Sequence, residues 1–164
     1  MILYLVRHGI AIERTDPKSP EEAERPLTAQ GVRKSRMAAL GLCTTGAKPD
    51  VLVTSPYIRA AQTAEIFAEA LGFSQERIRV SEALKPTADP ADILKEISRL
   101  RAREVACFGH APHLDLLIAY LAGARNAFTE LKKAGAACFE QSATHGRWEL
   151  RWILTPKLLR ELRD

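Results

Sequence analysis

Met1-Ile2-Leu3-Tyr4-Leu5-Val6-Arg7-His8-Gly9 opens the chain, and the rest of the sequence is understood from it. Ile2 to Val6 is a short apolar run, rich in strand-favouring side chains and too brief for an ordinary helix. It is predicted as a strand buried on both faces, as in a parallel sheet. The run stops at a guanidinium, an imidazole and a glycine. Gly9 can take backbone angles closed to other residues, so the chain is expected to turn there. Arginine grips phosphoryl oxygens through paired hydrogen bonds, and a neutral imidazole nitrogen can attack phosphorus. Arg-His-Gly alone is expected by chance in roughly one chain in a hundred of this size, so other segments must carry the reading further.

Two such segments follow predicted strands. Asp50 to Thr54 is a short buried strand leading into Ser55-Pro56-Tyr57-Ile58-Arg59. Glu104 to Phe108 is another, leading into Gly109-His110. Between them the apolar spacing predicts helices. One runs from about Ala29 to Thr44, capped by Thr28, with Val32, Ala39, Leu40 and Cys43 on one face. A second starts at Ser55-Pro56, serine as cap, and buries Ala60, Ala64, Phe67 and Leu71 up to Gly72. A third opens at Asp89-Pro90 with Ile93, Leu94, Ile97 and Leu100 inward. A fourth begins at Pro112 with Leu114, Leu117, Ile118 and Leu121 inward and closes at Gly123. Arg77 to Val80 is a weaker strand. Ala136 to Glu140 is expected to pair with Trp148 to Leu154, whose alternation marks a strand with one face inward. Thr155-Pro156 starts a short last helix.

Strand alternating with helix predicts a single α/β domain over residues 1–164, three layers deep, with a mostly parallel sheet flanked by helices. In such sheets ligands bind beyond the carboxyl ends of the strands. Parallel strands bring Arg7-His8, Ser55 to Arg59 and Gly109-His110 to one edge. Two arginines, two histidines and a helix N-terminus there favour an anion. With Arg7, Arg59 and His110 on the phosphoryl oxygens, His8 is left to attack.

Composition fits this reading. The chain has 164 residues, 46% hydrophobic and 27% charged, with a net charge of +4. Its 24 basic residues are scattered, which argues against nucleic acid. No apolar stretch approaches 18 residues, so no membrane span is expected. The segment before Arg7 lacks the features of a secretory signal. Cys43, Cys107 and Cys138 are odd in number and far apart, as in a reduced, cytoplasmic protein, and no Cys/His cluster has metal-ligand spacing. Ile10 to Pro26 holds three prolines and eight charged side chains, and is either a solvated loop or a lid over the site.

These segments together resemble a known family. Leu5-Val6-Arg7-His8-Gly9, Arg25-Pro26-Leu27-Thr28 with Gly31, Ser55-Pro56-x-x-Arg59-Ala60-x-Gln62-Thr63-Ala64 and Gly109-His110 are similar to the motifs of the histidine phosphatase superfamily. The short chain and the Arg-Pro-Leu-Thr segment look most like SixA-type phosphohistidine phosphatases. The motifs span roughly residues 3 to 110, and the C-terminal third carries none. The resemblance implies a phosphoglycerate-mutase-like fold and a phosphatase that phosphorylates His8 transiently. It implies Arg7, Arg59 and His110 as phosphate ligands, with no metal or organic cofactor. The implied partner is a phosphorylated protein of the histidine-phosphotransfer type, or a small phosphorylated substrate.

One departure bears on mechanism. Larger members place a general-acid carboxylate in an insertion after the third strand, which this chain has no room for. Short relatives often have glutamate just before the leucine, where this chain has Ala83. Glu82 is the candidate acid but stands one residue off, where an extended segment faces the other way. Asp16 and Glu13 in the polar loop are further candidates. His113, in the first turn of the helix after His110, is expected either to be a partly exposed polar residue or to rim the pocket, and His145 to be a solvated turn residue. Besides a phosphohistidine phosphatase, two rivals stay open: a phosphatase of small esters, and a non-catalytic module that binds phospho-groups. The intact set of Arg7, His8, Arg59 and His110 argues against the module, because binding has no need of a nucleophile.

Overall fold

Strand β1 (Ile2–Arg7) lies inside a six-stranded sheet, with Leu3, Tyr4, Leu5 and Val6 all buried. The computed structural model describes residues 1–163. In chain order, the elements after β1 are α1 (Ala29–Thr44), β2 (Val51–Thr54), α2 (Ile58–Leu71), β3 (Arg79–Val80), α3 (Pro90–Ser98) and β4 (Glu104–Gly109). They continue as α4 (His113–Leu121), β5 (Ala136–Gln141), β6 (Trp148–Leu154) and α5 (Pro156–Glu161). The strand order is β3-β2-β4-β1-β5-β6. The first four are parallel; β5 pairs antiparallel with β1, and β6 antiparallel with β5.

Successive side chains of a strand point to opposite faces, so a central strand feeds two cores. Leu3, Leu5, Val105 and Cys107 pack beneath Ile93 and Ile97 of α3 and Leu114, Leu117 and Ile118 of α4. Tyr4, Val6, Ala106 and Phe108 pack beneath Ala38 and Leu42 of α1, Ala64 and Phe67 of α2, and Leu159 of α5. Phe67 meets Phe108 edge to face, 5.4 Å between ring centres. Truncating a residue such as Leu5 to alanine in this setting costs about 2–5 kcal/mol.

The predicted order of elements is found, with local corrections. The buried face of α1 is Gly31, Ser35, Ala38, Ala39 and Leu42, while Val32 and Leu40 are exposed. Small residues let α1 press close to its neighbours: a β-carbon on Gly31 would stand 2.0 Å from the Ile10 carbonyl oxygen. Helix α2 begins at Ile58 rather than at Ser55-Pro56, and Tyr57 precedes it without a side-chain cap. Strand β3 is two residues long, because Arg77 closes a 3-10 turn. In β6 the register slips beside Cys138/Phe139. Trp148 therefore packs on the α3–α4 side and Trp152 and Leu154 on the α1–α2 side, so the alternating residues do not share one inward face. Gly9 has no positive φ. It is needed for space: a β-carbon there would lie 2.3 Å from Ser35 Oγ.

Candidate active site

Register brings the carboxyl ends of the parallel strands level. Arg7 pairs with Gly109 and Thr54 with Phe108. Backbone bonds then carry the alignment one residue further, from His8 N to Gly109 O at 3.0 Å and from Ser55 N to Phe108 O at 2.9 Å. His8, Ser55 and His110 thus stand side by side at one sheet edge. Thr63 of α2 accepts a hydrogen bond from Gly9 N at 3.0 Å, tying that helix to the turn after β1.

His8 is buried, and its Nδ1 lies 2.7 Å from the Gly9 carbonyl oxygen. A carbonyl only accepts, so Nδ1 carries the proton and Nε2 keeps its lone pair. Arg59 Nε donates to that Nε2 at 3.2 Å. Burial, followed by the charges of Arg59, Arg7 and Lys133, pushes the His8 pKa down to about 3, against the pull of the Gly9 carbonyl. The imidazole is neutral near pH 7.

Arg59, on the first turn of α2, is itself buried. Its Nη1 donates to the Glu22 carbonyl at 2.7 Å and its Nη2 to Glu22 Oε1 at 2.8 Å. Glu22 lies in the 10–26 segment and gathers three arginines. Arg25 binds both its carboxylate oxygens at 2.8 and 3.0 Å, and Arg14 Nε stands 3.2 Å away. The Arg25 hydrogen bonds, with the charges of Arg59, Arg25 and Arg14, hold the Glu22 carboxyl below its usual range despite its partial burial. Arg25 Nη1 also donates to Ile12 O at 2.6 Å. The polar segment is thus folded onto the site edge through Arg59. Sequence reasoning missed this role of Glu22; Arg25 within the Arg-Pro-Leu-Thr motif was the available signal.

Arg7 is held by the C-terminal third of the chain. Its Nη1 donates to Leu131 O at 2.7 Å and lies 3.5 Å from Glu130 Oε1. Leu131 N in turn donates to the buried carboxylate of Asp115 on α4 at 2.8 Å. Ala134 N donates to the carbonyls of Arg7 and His8 at 3.0 and 3.1 Å. No motif announced these anchors.

His110 stands across from His8, 5.1 Å between ring centres, with Tyr57 edge-on at the same distance. Its Nε2 shares a hydrogen bond with Ser55 Oγ at 2.8 Å. Burial, then the charges of His8, Arg59, His113 and Arg7, pushes its pKa down to about 2. Both guanidinium groups therefore act on both imidazoles. Two buried nitrogens in this cluster, Arg7 Nε and His110 Nδ1, have no hydrogen-bond partner. His113 departs from the sequence expectation: it is fully buried in the first turn of α4, and burial lowers its pKa. His145 is exposed, 3.9 Å from Glu149.

The carboxylates considered as acids lie elsewhere. Glu82 is 72% exposed and paired with Lys85. Asp16 accepts from Lys18 N within its own exposed turn, and Glu13 is exposed. None of the three forms a hydrogen bond or ion pair with His8, Arg7, Arg59 or His110. Among the described residues, no cluster of three or more His, Cys, Asp or Glu could hold a metal ion, and no helix is long and apolar enough to cross a membrane.

The histidine phosphatase superfamily (branch 1) model matches residues 3–87. An uncharacterized protein of Picosynechococcus sp. is 34% identical, covering 97% of this chain and 99% of the relative. This chain belongs to the histidine phosphatase superfamily. Among solved structures, the protein histidine phosphatase SixA complexed with tungstate superposes with a TM-score of 0.84. It is 24% identical, and the match covers 97% of this chain and 99% of that one. A phosphoserine phosphatase of Entamoeba histolytica, in complex with phosphoserine, gives 0.73 at 16% identity, covering 96% and 98% of the two chains. At these identities the likeness is one of fold.

Proposed function

We propose that this protein is a phosphatase that takes a phosphoryl group onto His8 and passes it to water, with phosphohistidine of a protein as substrate. His8 Nε2 attacks phosphorus, and the bond from phosphorus to the leaving nitrogen breaks. That nitrogen departs in a neutral imidazole because the other ring nitrogen is already protonated. Water then attacks the phosphorus on His8, gives up a proton, and releases inorganic phosphate with His8 neutral again. Arg7, Arg59 and His110 bind the phosphoryl oxygens, and charge developing there is met by fixed donors. Arg7 Nε and His110 Nδ1, which have no hydrogen-bond partner within the protein, would find acceptors in such an oxyanion. SixA, which shares the fold, is complexed with tungstate, a tetrahedral oxyanion like phosphate.

The observation that carries the choice of substrate is the state of the neighbouring carboxylates. Glu22 and Glu130 are the two that contact the arginines of the site. Glu22 is held ionised chiefly by Arg25, and Glu130 chiefly by Lys132. Anions so held make poor proton donors. A serine or threonine ester leaves as an alkoxide and needs a donor in the transition state. Phosphohistidine leaves as a neutral ring and does not.

Hydrolysis of phosphohistidine, phosphotyrosine, phosphoserine and sugar phosphates should rank in leaving-group order, with phosphohistidine ahead of phosphoserine by about 10³ or more. Brief reaction followed by denaturation should trap acid-labile, base-stable phosphate on His8, and His8→Ala should lose both the trapped phosphate and turnover. Activity should survive a chelator. Comparable rates on phosphoserine would overturn the substrate assignment, and trapped phosphate on any other residue would overturn the mechanism.

A further inference from the structure

Beside the site, a groove of about 520 Å³ runs between the 130–134 segment, α1 and the start of α5. Six cations line it: Arg7, Lys34, Lys132, Lys133, Lys157 and Arg160. One carboxylate, Glu130, answers them, and it is occupied by Arg7 and Lys132. Lys157 has Glu161 at 3.9 Å. Among the described residues, Lys34, Lys133 and Arg160 form no ion pair. Arg7 belongs both to the groove and to the cluster around His8, so the two are continuous. Lys133 is close enough for its charge to act on His8.

Like charges gathered this way repel one another, and among the described residues Lys34, Lys133 and Arg160 have no carboxylate to offset them. Nor does the reaction at phosphorus use them, apart from Arg7. A single-sign cleft raises the local concentration of an oppositely charged partner and steers its approach. The floor narrows the partner's chemistry. Ile10, Ala134 and Pro156 are apolar, and no aromatic side chain lines the groove on which a base could stack. An acidic polypeptide with small apolar residues between its carboxylates fits such a surface better than a polynucleotide does.

We infer that this groove docks an acidic segment of the protein substrate that flanks its phosphorylated residue, so that recognition extends beyond the phosphoryl group along the face formed by Lys34, Lys133, Lys157 and Arg160. The inference rests on the phosphatase reading above, and adds that the substrate is chosen by the charge of its surroundings.

Four labelled nine-residue peptides separate the two ideas by fluorescence anisotropy. Each carries at its centre either a non-hydrolysable phosphohistidine analogue or phosphoserine, flanked by either Asp/Glu/Ala or Ser/Gly/Ala. The acidic flank should tighten binding about tenfold or more with either central residue, and that gain should shrink steeply between 50 and 300 mM salt. In the variant Lys34→Glu/Lys157→Glu the ratio between acidic and neutral flanks should fall to near one. Equal binding of the two flanks by the wild-type protein overturns the groove, whatever the central residue does, and so does failure of all four peptides to bind. Tighter binding of a nine-nucleotide single strand than of the acidic peptide overturns it as well. A flank effect without preference for the phosphohistidine analogue leaves the groove standing and counts instead against the substrate proposed for the site.

Discussion

Glu22→Gln isolates the charge of the carboxylate that grips Arg59. Glutamine keeps an acceptor for Arg59 Nη2, now 2.8 Å from Glu22 Oε1, and removes the negative charge. A phosphoryl oxygen bonded to the other side of that guanidinium would lie about 6 Å from the carboxylate, where one unit charge at an effective dielectric near 20 is worth about 3 kcal/mol. The Glu22 side chain is 35% exposed, so solvent screening reduces this by about half, to about 1.4 kcal/mol, or tenfold in affinity. Inorganic phosphate should therefore inhibit the variant about tenfold more tightly than the wild type, with p-nitrophenyl phosphate as reporter, and KM should fall with it. Calorimetry with tungstate should show the same gain. Glu21→Gln, an exposed neighbour that alters net charge equally, should stay within about twofold. Phosphate inhibition that weakens or stays level in Glu22→Gln would refute the reasoning, because Glu22 would then be ordering Arg59 rather than opposing the bound anion.

Acid should destabilise the fold through its buried histidines. His8 and His110 have folded pKa values of about 3 and about 2, below the unfolded value of 6.5. The unfolded chain therefore binds more protons below pH 6.5, and stability falls as pH drops from there toward 3, by up to about 1.4 kcal/mol per unit for each histidine. Urea melts at pH 7 and pH 5 should differ by several kcal/mol, with a shallower slope in His8→Gln; an unchanged midpoint would contradict the burial argument. Ser55→Ala removes the partner of His110 Nε2 and should cost about 1–3 kcal/mol of stability and about tenfold in kcat, read by melts and steady-state kinetics. Glu82→Gln should change turnover of phosphohistidine by less than about twofold, and a large loss would make Glu82 the missing proton donor.

The parts of the site visible in the sequence were those fixed by strand ends. Arg7-His8 and Gly109-His110 each follow a buried apolar run, and parallel pairing of β1 with β4 needs no further information to set them side by side. The helix after Ser55 illustrates the limit. Serine followed by proline is a strong cap signal, yet the helix starts at Ile58, and Ser55 Oγ accepts from Tyr57 N at 3.3 Å ahead of it while sharing a hydrogen bond with His110 Nε2. Long-range partners were equally hidden. Glu22 is one acid among five in a polar segment, and no motif marks Asp115 on α4 or Leu131. Their roles come from contacts across most of the chain, for which no local pattern exists. On α1, Ala39 is buried as its spacing predicts, but close packing selects Gly31, Ser35 and Ala38 beside it, and Val32 and Leu40 are exposed.

The pairing of Arg7 with Gly109 joins residues about a hundred positions apart, at the centre of the sheet. Closing so long a loop costs chain entropy before any contact repays it, and non-local pairings of this kind slow folding. The helices can form locally, but His8 acquires His110 as a neighbour only when β4 has docked against β1, and Arg7 acquires its anchor only when the 131–135 segment has followed. During refolding, the far-ultraviolet signal should therefore return ahead of the phosphatase activity. The edge that carries the proposed site acts as a clock for the final tertiary step.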